Sequence, residues 1–82
     1  MFYHVHLLQS KKDKSLYFGF TTNLKDRIKG HNRGLEKSTK LKTPWELIYF
    51  ESFKDQELAT KREQSLKYFG KAWGQLKRRI GL

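Results

Sequence analysis

Cysteine is absent from this 82-residue chain, which excludes disulfide bonds and thiolate metal centres. No apolar run approaches the ~20 residues that a membrane-spanning helix needs. The segment Met1–Leu8 lacks the basic leader and the long apolar core of a signal peptide. We therefore expect no disulfide scaffold and no membrane partner, and we assign the protein to a reducing compartment, the cytoplasm.

Acidic side chains are scarce, since 8 Asp and Glu stand against 18 Lys and Arg and give a formal net charge of +10. Such an excess in a small domain predicts a polyanionic partner, usually a nucleic acid. A basic surface without a particular ligand is one alternative. An anionic membrane surface is another, but no basic helix shows the broad apolar face that it requires. The charge therefore favours a nucleic acid.

The length predicts one small domain over residues 1–82. A chain this short buries only about 60% of its unfolded surface, so large side chains must build its core. Its 6 Phe, 4 Tyr and 2 Trp residues supply them.

Apolar alternation, helical spacing and capping residues predict three strands and three helices. We expect strands at Phe2–Leu8, Leu16–Phe20 and Trp45–Phe53, and helices at Thr22–Asn32, Asp55–Phe69 and Ala72–Ile80. The order β-β-α-β-α-α predicts an α+β fold, a three-stranded and mostly antiparallel sheet flanked by helices.

The third strand has apolar residues on both faces, which predicts a central strand covered on both sides. Helical spacing also predicts which side chains of the last two helices face the core. They are Leu58, Ala59, Leu66 and Phe69 in the second helix, and Trp73, Leu76 and Ile80 in the third.

The second strand and the first helix form a unit that predicts a functional site. Tyr17 and Gly19 are two residues apart and share one side of the strand. Asn23, Arg27 and His31 follow at intervals of four on one helix face. A phenol, a guanidinium and an imidazole therefore meet at the mouth of this unit. That combination suits an anionic substrate that is attacked by a water molecule or a tyrosine.

The segment 35–43 is basic and rich in Ser and Thr, and it leaves two interpretations open. It is either a mobile segment that contacts phosphates or a solvated connector. Basic side chains here and in the last two helices are our candidates for nucleic-acid contact. They are Lys37, Lys40, Lys42, Lys67, Lys71, Lys77, Arg78 and Arg79.

Four short motifs occur in order along nearly the whole chain. They are Leu16-Tyr17-Phe18-Gly19 with Thr21; Asn23-Leu24, Arg27 and His31-Asn32; Thr43-Pro44-Trp45-Glu46-Leu47-Ile48-Tyr49; and Ala59, Arg62-Glu63 and Leu66-Lys67. Together they resemble the GIY-YIG nuclease superfamily, in particular small members similar to the nuclease domain of the excision-repair incision subunit. The first half of the family signature departs from the pattern, because His4-Val5-His6 stands where a tyrosine normally ends it.

The resemblance implies a phosphodiesterase that hydrolyses DNA with one divalent metal, Mg²⁺ or Mn²⁺. It implies that Glu63 binds the metal, that Arg27 holds the scissile phosphate and that Tyr17 positions or deprotonates the nucleophile. It also implies that His31 binds a phosphate or shuttles a proton. His6 replaces the tyrosine near the attacking water, and the ordinary imidazole pKa of about 6.5 suits a general base.

Each of these residues also has a structural alternative. Glu63 can pair with Lys67 one helical turn away, and Arg27 can pair with Glu63. Tyr17 can belong to the core, and His31 can be a histidine favoured by a helix end. His6 can be a packed strand residue, and a transition-metal pair of His4 and His6 lacks an evident third ligand.

Three functions therefore stay open at this point. The first is a DNA endonuclease with weak sequence preference. The second is a nucleic-acid-binding module of the same fold with weakened catalysis, and the third is a basic protein-interaction module. Because two strands need two sites, we expect a nuclease this small to work with a partner protein or as a homodimer.

Overall fold

The computed structural model describes residues 1–82 and confirms the α+β fold and the predicted order of elements. The strands are β1 (Tyr3–Ser10), β2 (Leu16–Thr21) and β3 (Trp45–Phe53), and the helices are α1 (Leu24–Asn32), α2 (Gln56–Tyr68) and α3 (Gly70–Ile80). None of the helices is both long enough and apolar enough to cross a membrane.

The sheet is antiparallel throughout, with the strand order β2-β1-β3. The prediction that the third strand is central is wrong, because β1 lies in the middle and β3 forms an edge. Val5, His6, Leu7 and Leu8 are all buried, as expected for a strand covered on both faces. At the edge of the sheet, β3 is less completely covered, and Phe50 is exposed. Apolar residues on both faces therefore did not distinguish an edge strand from a central one.

Helices α2 and α3 cover one face of the sheet and form the core with it. Val5 of β1 packs with Ala59, Leu66 and Leu76, all of which are buried. Trp73 and Ile80 lie partly buried against this cluster, so the predicted inner face of α3 is confirmed. In α2 the predictions for Ala59 and Leu66 are confirmed.

The predictions for Leu58 and Phe69 are wrong, since both side chains are exposed. Phe69 has an extended backbone that ends α2 and precedes Gly70, the first residue of α3. Its side chain therefore no longer follows the helical spacing on which the prediction depended.

Polar side chains cap the N-termini of α1 and α2. Asn23 caps α1 by accepting a hydrogen bond from the backbone N–H of Asp26, and the helix begins two residues later than expected. Asp55 caps α2 in the same way by accepting from the N–H of Glu57 at 2.8 Å. After α1 the chain turns at Gly34, whose φ of +75° favours glycine.

The basic segment 35–43, for which the sequence left two interpretations open, is anchored to the sheet by hydrogen bonds. It contains a 3₁₀ turn at Lys40–Lys42, preceded by the buried residue Thr39. The indole N–H of Trp45 donates to the carbonyl of Thr39 at 2.9 Å, and the hydroxyl of Ser10 donates to the carbonyl of Lys42 at 2.6 Å. These bonds tie the segment to the first residue of β3 and the last residue of β1.

The core assignment predicts a large difference between two leucines of α2. Leu66 is buried in the cluster, whereas Leu58 is 53% exposed. We expect Leu66→Ala to lower the free energy of unfolding by about 2–5 kcal/mol, because it leaves a cavity. The matched control Leu58→Ala should change it by less than about 0.5 kcal/mol. Urea unfolding at equilibrium measures both, and similar losses in the two variants would contradict the packing described here.

Candidate functional site

His6 lies in the middle of the sheet and is 1% exposed. Its neighbour on β2 is Gly19, which pairs with it across the two strands. A Cβ atom at position 19 would lie only 2.8 Å from Cε1 of His6 and 3.0 Å from its Nε2. Position 19 therefore requires glycine because the imidazole of His6 occupies the space where a side chain would begin.

Three rings meet beside this contact, and we call His6, Tyr17 and His31 the three-ring cluster. The ring centroids of Tyr17 and His31 are 4.8 Å apart, and the ring of His6 lies 6.4 Å from Tyr17 and 6.3 Å from His31. β1, β2 and α1 each supply one member. The predicted meeting of a phenol and an imidazole at the strand–helix unit is thus present, and His6 joins them.

Two side chains of the segment 35–43 complete this region. The Oγ1 atom of Thr39 lies 2.8 Å from Nδ1 of His31, and both residues are fully buried. The carboxylate of Glu36 lies 3.0 Å from Nη1 of Arg27. Our sequence reasoning singled out neither Thr39 nor Glu36. A threonine and a glutamate in a polar segment carry no spacing signal, and their partners are set by the fold alone.

Arg27 and His31 line a pocket of about 280 Å³ at the mouth of the β2–α1 unit, together with Thr21, Asn23, Asp26 and Glu36. The three α1-face residues predicted from the spacing therefore do share one cavity. Arg27 pairs with Glu36 rather than with Glu63, and its Nε atom is buried without a hydrogen-bond partner. Such an atom retains an unmet hydrogen-bonding capacity that an incoming acceptor can satisfy.

Both buried histidines are held in the neutral form. Burial lowers the pKa of His6 to about 4, and the nearby charges of His31, Arg27, His4 and Lys67 lower it further. Burial also lowers the pKa of His31, with a further contribution from Arg27. Neither Nδ1 nor Nε2 of His6 has a hydrogen-bond partner in the protein, and Nε2 of His31 has none either.

Glu63 lies on the side of α2 that carries the buried residues Ala59 and Leu66, and its side chain is only 16% exposed. Its Oε1 atom is 3.4 Å from Nζ of Lys67, which confirms the pair expected one turn apart. α2 packs on the Val5 face of the sheet, whereas the ring of His6 lies on the opposite face.

The structure contains no group of three or more His, Cys, Asp or Glu side chains that could hold a metal together. Glu63 offers a largely shielded carboxylate, 16% exposed, on the side of α2 that faces the sheet. One carboxylate suits Mg²⁺, which keeps several waters and takes few protein ligands. The donor chemistry of Glu63 therefore fits such an ion.

The predicted nucleic-acid contacts fall on two sides of the sheet. Lys37, Lys40 and Lys42 are exposed on the segment that reaches His31 through Thr39, whereas Lys71, Lys77, Arg78 and Arg79 are exposed on α3. α3 packs on the Val5 face of the sheet, and His6 points to the opposite face. The basic residues therefore do not form one surface.

The burial of His6 predicts that acid destabilises the protein. His6 binds a proton more weakly when folded, with a pKa of about 4 against 6.5 in the unfolded chain, so its contribution is complete above about pH 6.5. Between about pH 7.5 and pH 5 we expect the free energy of unfolding to fall by about 2 kcal/mol. His6→Gln should remove most of this fall and His4→Gln should retain it. Urea unfolding at the two pH values measures it, and equal pH dependence in both variants would contradict the assignment.

Comparison with known proteins places this site in a family. The GIY-YIG catalytic domain matches residues 2–77. A UPF0213 protein of Clostridium perfringens is 45% identical over 65 residues, which span 78% of this chain and 69% of that protein. A UPF0213 protein of Staphylococcus haemolyticus is 40% identical over 70 residues, or 84% of each chain.

A solved structure agrees with the fold as well as the sequence. The solution NMR structure of a UPF0213 protein from Bacillus halodurans matches with a TM-score of 0.53 and 34% sequence identity. The match covers 84% of this chain and 73% of that one. The resemblance carried by the four motifs is thus confirmed, and the chain belongs to the GIY-YIG family, a nuclease family, as a small member similar to the UPF0213 proteins.

Proposed function

We propose that this protein is a divalent-metal-dependent DNA endonuclease with little sequence specificity. One observation carries the proposal: His31 lines one pocket with Arg27 and contacts the ring of Tyr17, so the fold links the three residues that the sequence predicted as a site. Membership of a nuclease family supplies the reaction class. The net charge of +10 supports DNA as the substrate.

Arg27 is the proposed ligand of the scissile phosphate. Its guanidinium has a planar set of donors that matches two phosphate oxygens. One nitrogen faces Glu36, and the buried Nε has no partner. A phosphate oxygen that accepts from Nε would satisfy that atom and hold the phosphate in the pocket that Arg27 shares with His31. During hydrolysis the same donors would stabilise the negative charge that develops on the phosphate.

Tyr17 is the proposed group beside the attacking water. It is partly exposed, in contrast to the buried rings of His6 and His31 behind it. Its hydroxyl would orient the water or take its proton. His6 is neutral at pH 7, and with a pKa of about 4 it is a weak base. We therefore place proton transfer at Tyr17 and keep for His6 the role of a neutral hydrogen-bond acceptor.

Glu63 is the proposed metal ligand, with Mg²⁺ or Mn²⁺ as the ion. A bound divalent ion would lower the pKa of water and neutralise charge on the leaving oxygen. Glu63 would bind the ion in place of Lys67. The packing of α2 would fix the position of the Glu63 carboxylate and so of the ion. Lys67, released from this pair, would be free to contact the DNA backbone.

Lysines of the segment 35–43 are the proposed DNA-backbone contacts on the side of the site. Lys37, Lys40 and Lys42 would add affinity that falls with salt and would read little sequence. The basic residues of α3 lie across the sheet, so we propose that they contact a more distant part of the DNA. Cleavage of both strands would then need a partner protein or a second copy of the chain.

A binding module with weakened catalysis is the second candidate, and His6 is the observation that favours it. The residue occupies the position of a signature tyrosine, and burial keeps its imidazole neutral and without hydrogen-bond partners. Such a side chain does not replace a phenol in proton transfer. Metal-dependent cleavage distinguishes the two candidates.

Cleavage of labelled single-stranded, duplex and branched DNA tests the proposal. We expect turnover with Mg²⁺ or Mn²⁺ and none with EDTA, because the metal supplies the charge stabilisation. Glu63→Ala and Arg27→Ala should each lower the rate by about 100-fold or more. His6→Ala should lower it less, and His6→Tyr should retain or raise it.

A matched control is available within α2. Glu57 pairs with Lys61 at 3.4 Å with the same spacing as Glu63 and Lys67, but it lies in the first turn and is exposed. Glu57→Ala should leave cleavage unchanged. DNA binding without cleavage of any substrate would favour the binding module. The absence of salt-sensitive DNA binding would contradict both candidates and favour the protein-interaction module.

Glu36 is expected to compete with DNA for Arg27. Glu36→Gln removes the carboxylate that faces Nη1, so affinity for single-stranded or duplex DNA in EDTA should rise by about two- to five-fold. Glu57→Gln changes the net charge equally at a distant place and serves as the control. Fluorescence anisotropy with labelled DNA at fixed salt gives both affinities. An equal rise in the two variants would show a general charge effect and no competition at Arg27.

A further inference from the structure

The two ring nitrogens of His31 have very different surroundings. Nδ1 lies 2.8 Å from the hydroxyl oxygen of Thr39, whereas Nε2 is buried without a hydrogen-bond partner. His31 itself is completely buried. A side chain in this state does not touch a DNA phosphate directly, so the direct role implied by the family resemblance does not suit it.

Thr39 is held in place independently of His31. Its backbone N–H donates to the carbonyl of Glu36 at 3.2 Å, and its own carbonyl accepts from the indole of Trp45 at 2.9 Å. Trp45 is in turn held by Asn32, the residue after His31, whose side-chain amide bonds both the N–H and the carbonyl of Trp45. The hydroxyl of Thr39 is therefore fixed relative to the end of α1.

The hydrogen bonds around Thr39 favour one position for the imidazole proton. The hydroxyl oxygen of Thr39 lies 2.8 Å from Nδ1 of His31 and 3.4 Å from the carbonyl oxygen of Glu36, which only accepts. Both contacts are hydrogen bonds when Nδ1–H donates to the hydroxyl oxygen and the hydroxyl donates to Glu36. The opposite tautomer would leave a buried Nε2–H without an acceptor, which costs free energy.

The ring of His31 transmits this constraint to Tyr17. Their centroids are 4.8 Å apart at an interplanar angle of 62°, a T-shaped contact. Fixing Nδ1 fixes the rotation of the imidazole, and the imidazole then limits the rotation of the phenol. Tyr17 also lies 6.2 Å from Trp45, so two of its three ring neighbours, His31 and Trp45, are hydrogen-bonded to Thr39.

We propose that Thr39 is a positioning residue that holds His31 in the Nδ1–H tautomer, and that His31 acts on the reaction by fixing the ring of Tyr17. The catalytic consequence rests on the proposed nuclease function, whereas the tautomer and the ring constraint do not. The assignment gives His31 a role that requires no contact with DNA.

Nuclear magnetic resonance of the ¹⁵N-labelled protein tests the inference without activity. At about pH 7.5 a long-range ¹H–¹⁵N spectrum should show His31 with protonated Nδ1 and unprotonated Nε2. In Thr39→Val the single tautomer should be lost and the ring signals of Tyr17 should shift or broaden. Thr39→Ser retains the hydroxyl and should restore both. A protonated Nε2 in the wild type, or an unchanged spectrum in Thr39→Val, would overturn the proposal.

Kinetics test the consequence for catalysis. Thr39→Val should lower kcat by about ten-fold or more at a nearly unchanged KM, because Tyr17 is displaced while the phosphate ligand Arg27 is not. Thr39→Ser should restore kcat. A kcat of Thr39→Val equal to that of the wild type would contradict the proposal that Thr39 positions Tyr17 through His31. Absence of cleavage by the wild type with the tautomer intact would instead show that the proposed function fails while the tautomer assignment holds.

Discussion

The contact between the imidazole of His6 and the bare Cα of Gly19 sets the geometry of this site. Any side chain at position 19 would meet the ring at 2.8 Å, so β1 and β2 can pair here only through glycine. The same register puts Tyr17 two residues away on the same side of β2, next to the position that His31 reaches from α1. The arrangement of the three rings thus follows from one close approach in the middle of the sheet.

Charge is distributed unevenly around this contact. The chain carries a net charge of +10, yet both histidines of the cluster are neutral because burial lowers the pKa of each. Arg27 is the one cation of the pocket lining, which also contains the carboxylates of Asp26 and Glu36, and Glu36 pairs with Arg27 at 3.0 Å. A phosphate that enters the pocket would therefore depend on the donors of Arg27 and would compete with Glu36 for them.

The fold was predictable from sequence wherever a local pattern determined it. Asn23 and Asp55 cap the helices as their chemistry requires, and Leu76 lies at the expected helical position. The position of β3 was not predictable, because apolar residues on both faces fit an edge strand as well as a central one. The prediction that Phe69 faces the core was wrong, because the helical spacing ends at this residue, which lies between α2 and α3.

The site, like the fold, contains residues that the sequence predicted and residues that it did not. The spacing of Asn23, Arg27 and His31 predicted one helix face, and all three residues line one pocket. Thr39 and Glu36 were missed, because a segment without regular structure carries no periodicity that shows where its side chains point. The burial of His6 was also not predictable. Alternation along β1 predicts which face of the sheet the side chain occupies, but not how deeply other residues cover that face.

The central claim is that Arg27 holds a DNA phosphate at the mouth of the β2–α1 unit. The most direct test is a ¹H–¹⁵N spectrum of the arginine Nε–H groups during titration of the wild-type protein with a short DNA strand in EDTA. We predict that the Arg27 Nε–H signal shifts by far the most, because this buried atom has no partner in the free protein. Shifts confined to Arg78 and Arg79 of α3, with Arg27 unchanged, would contradict the account.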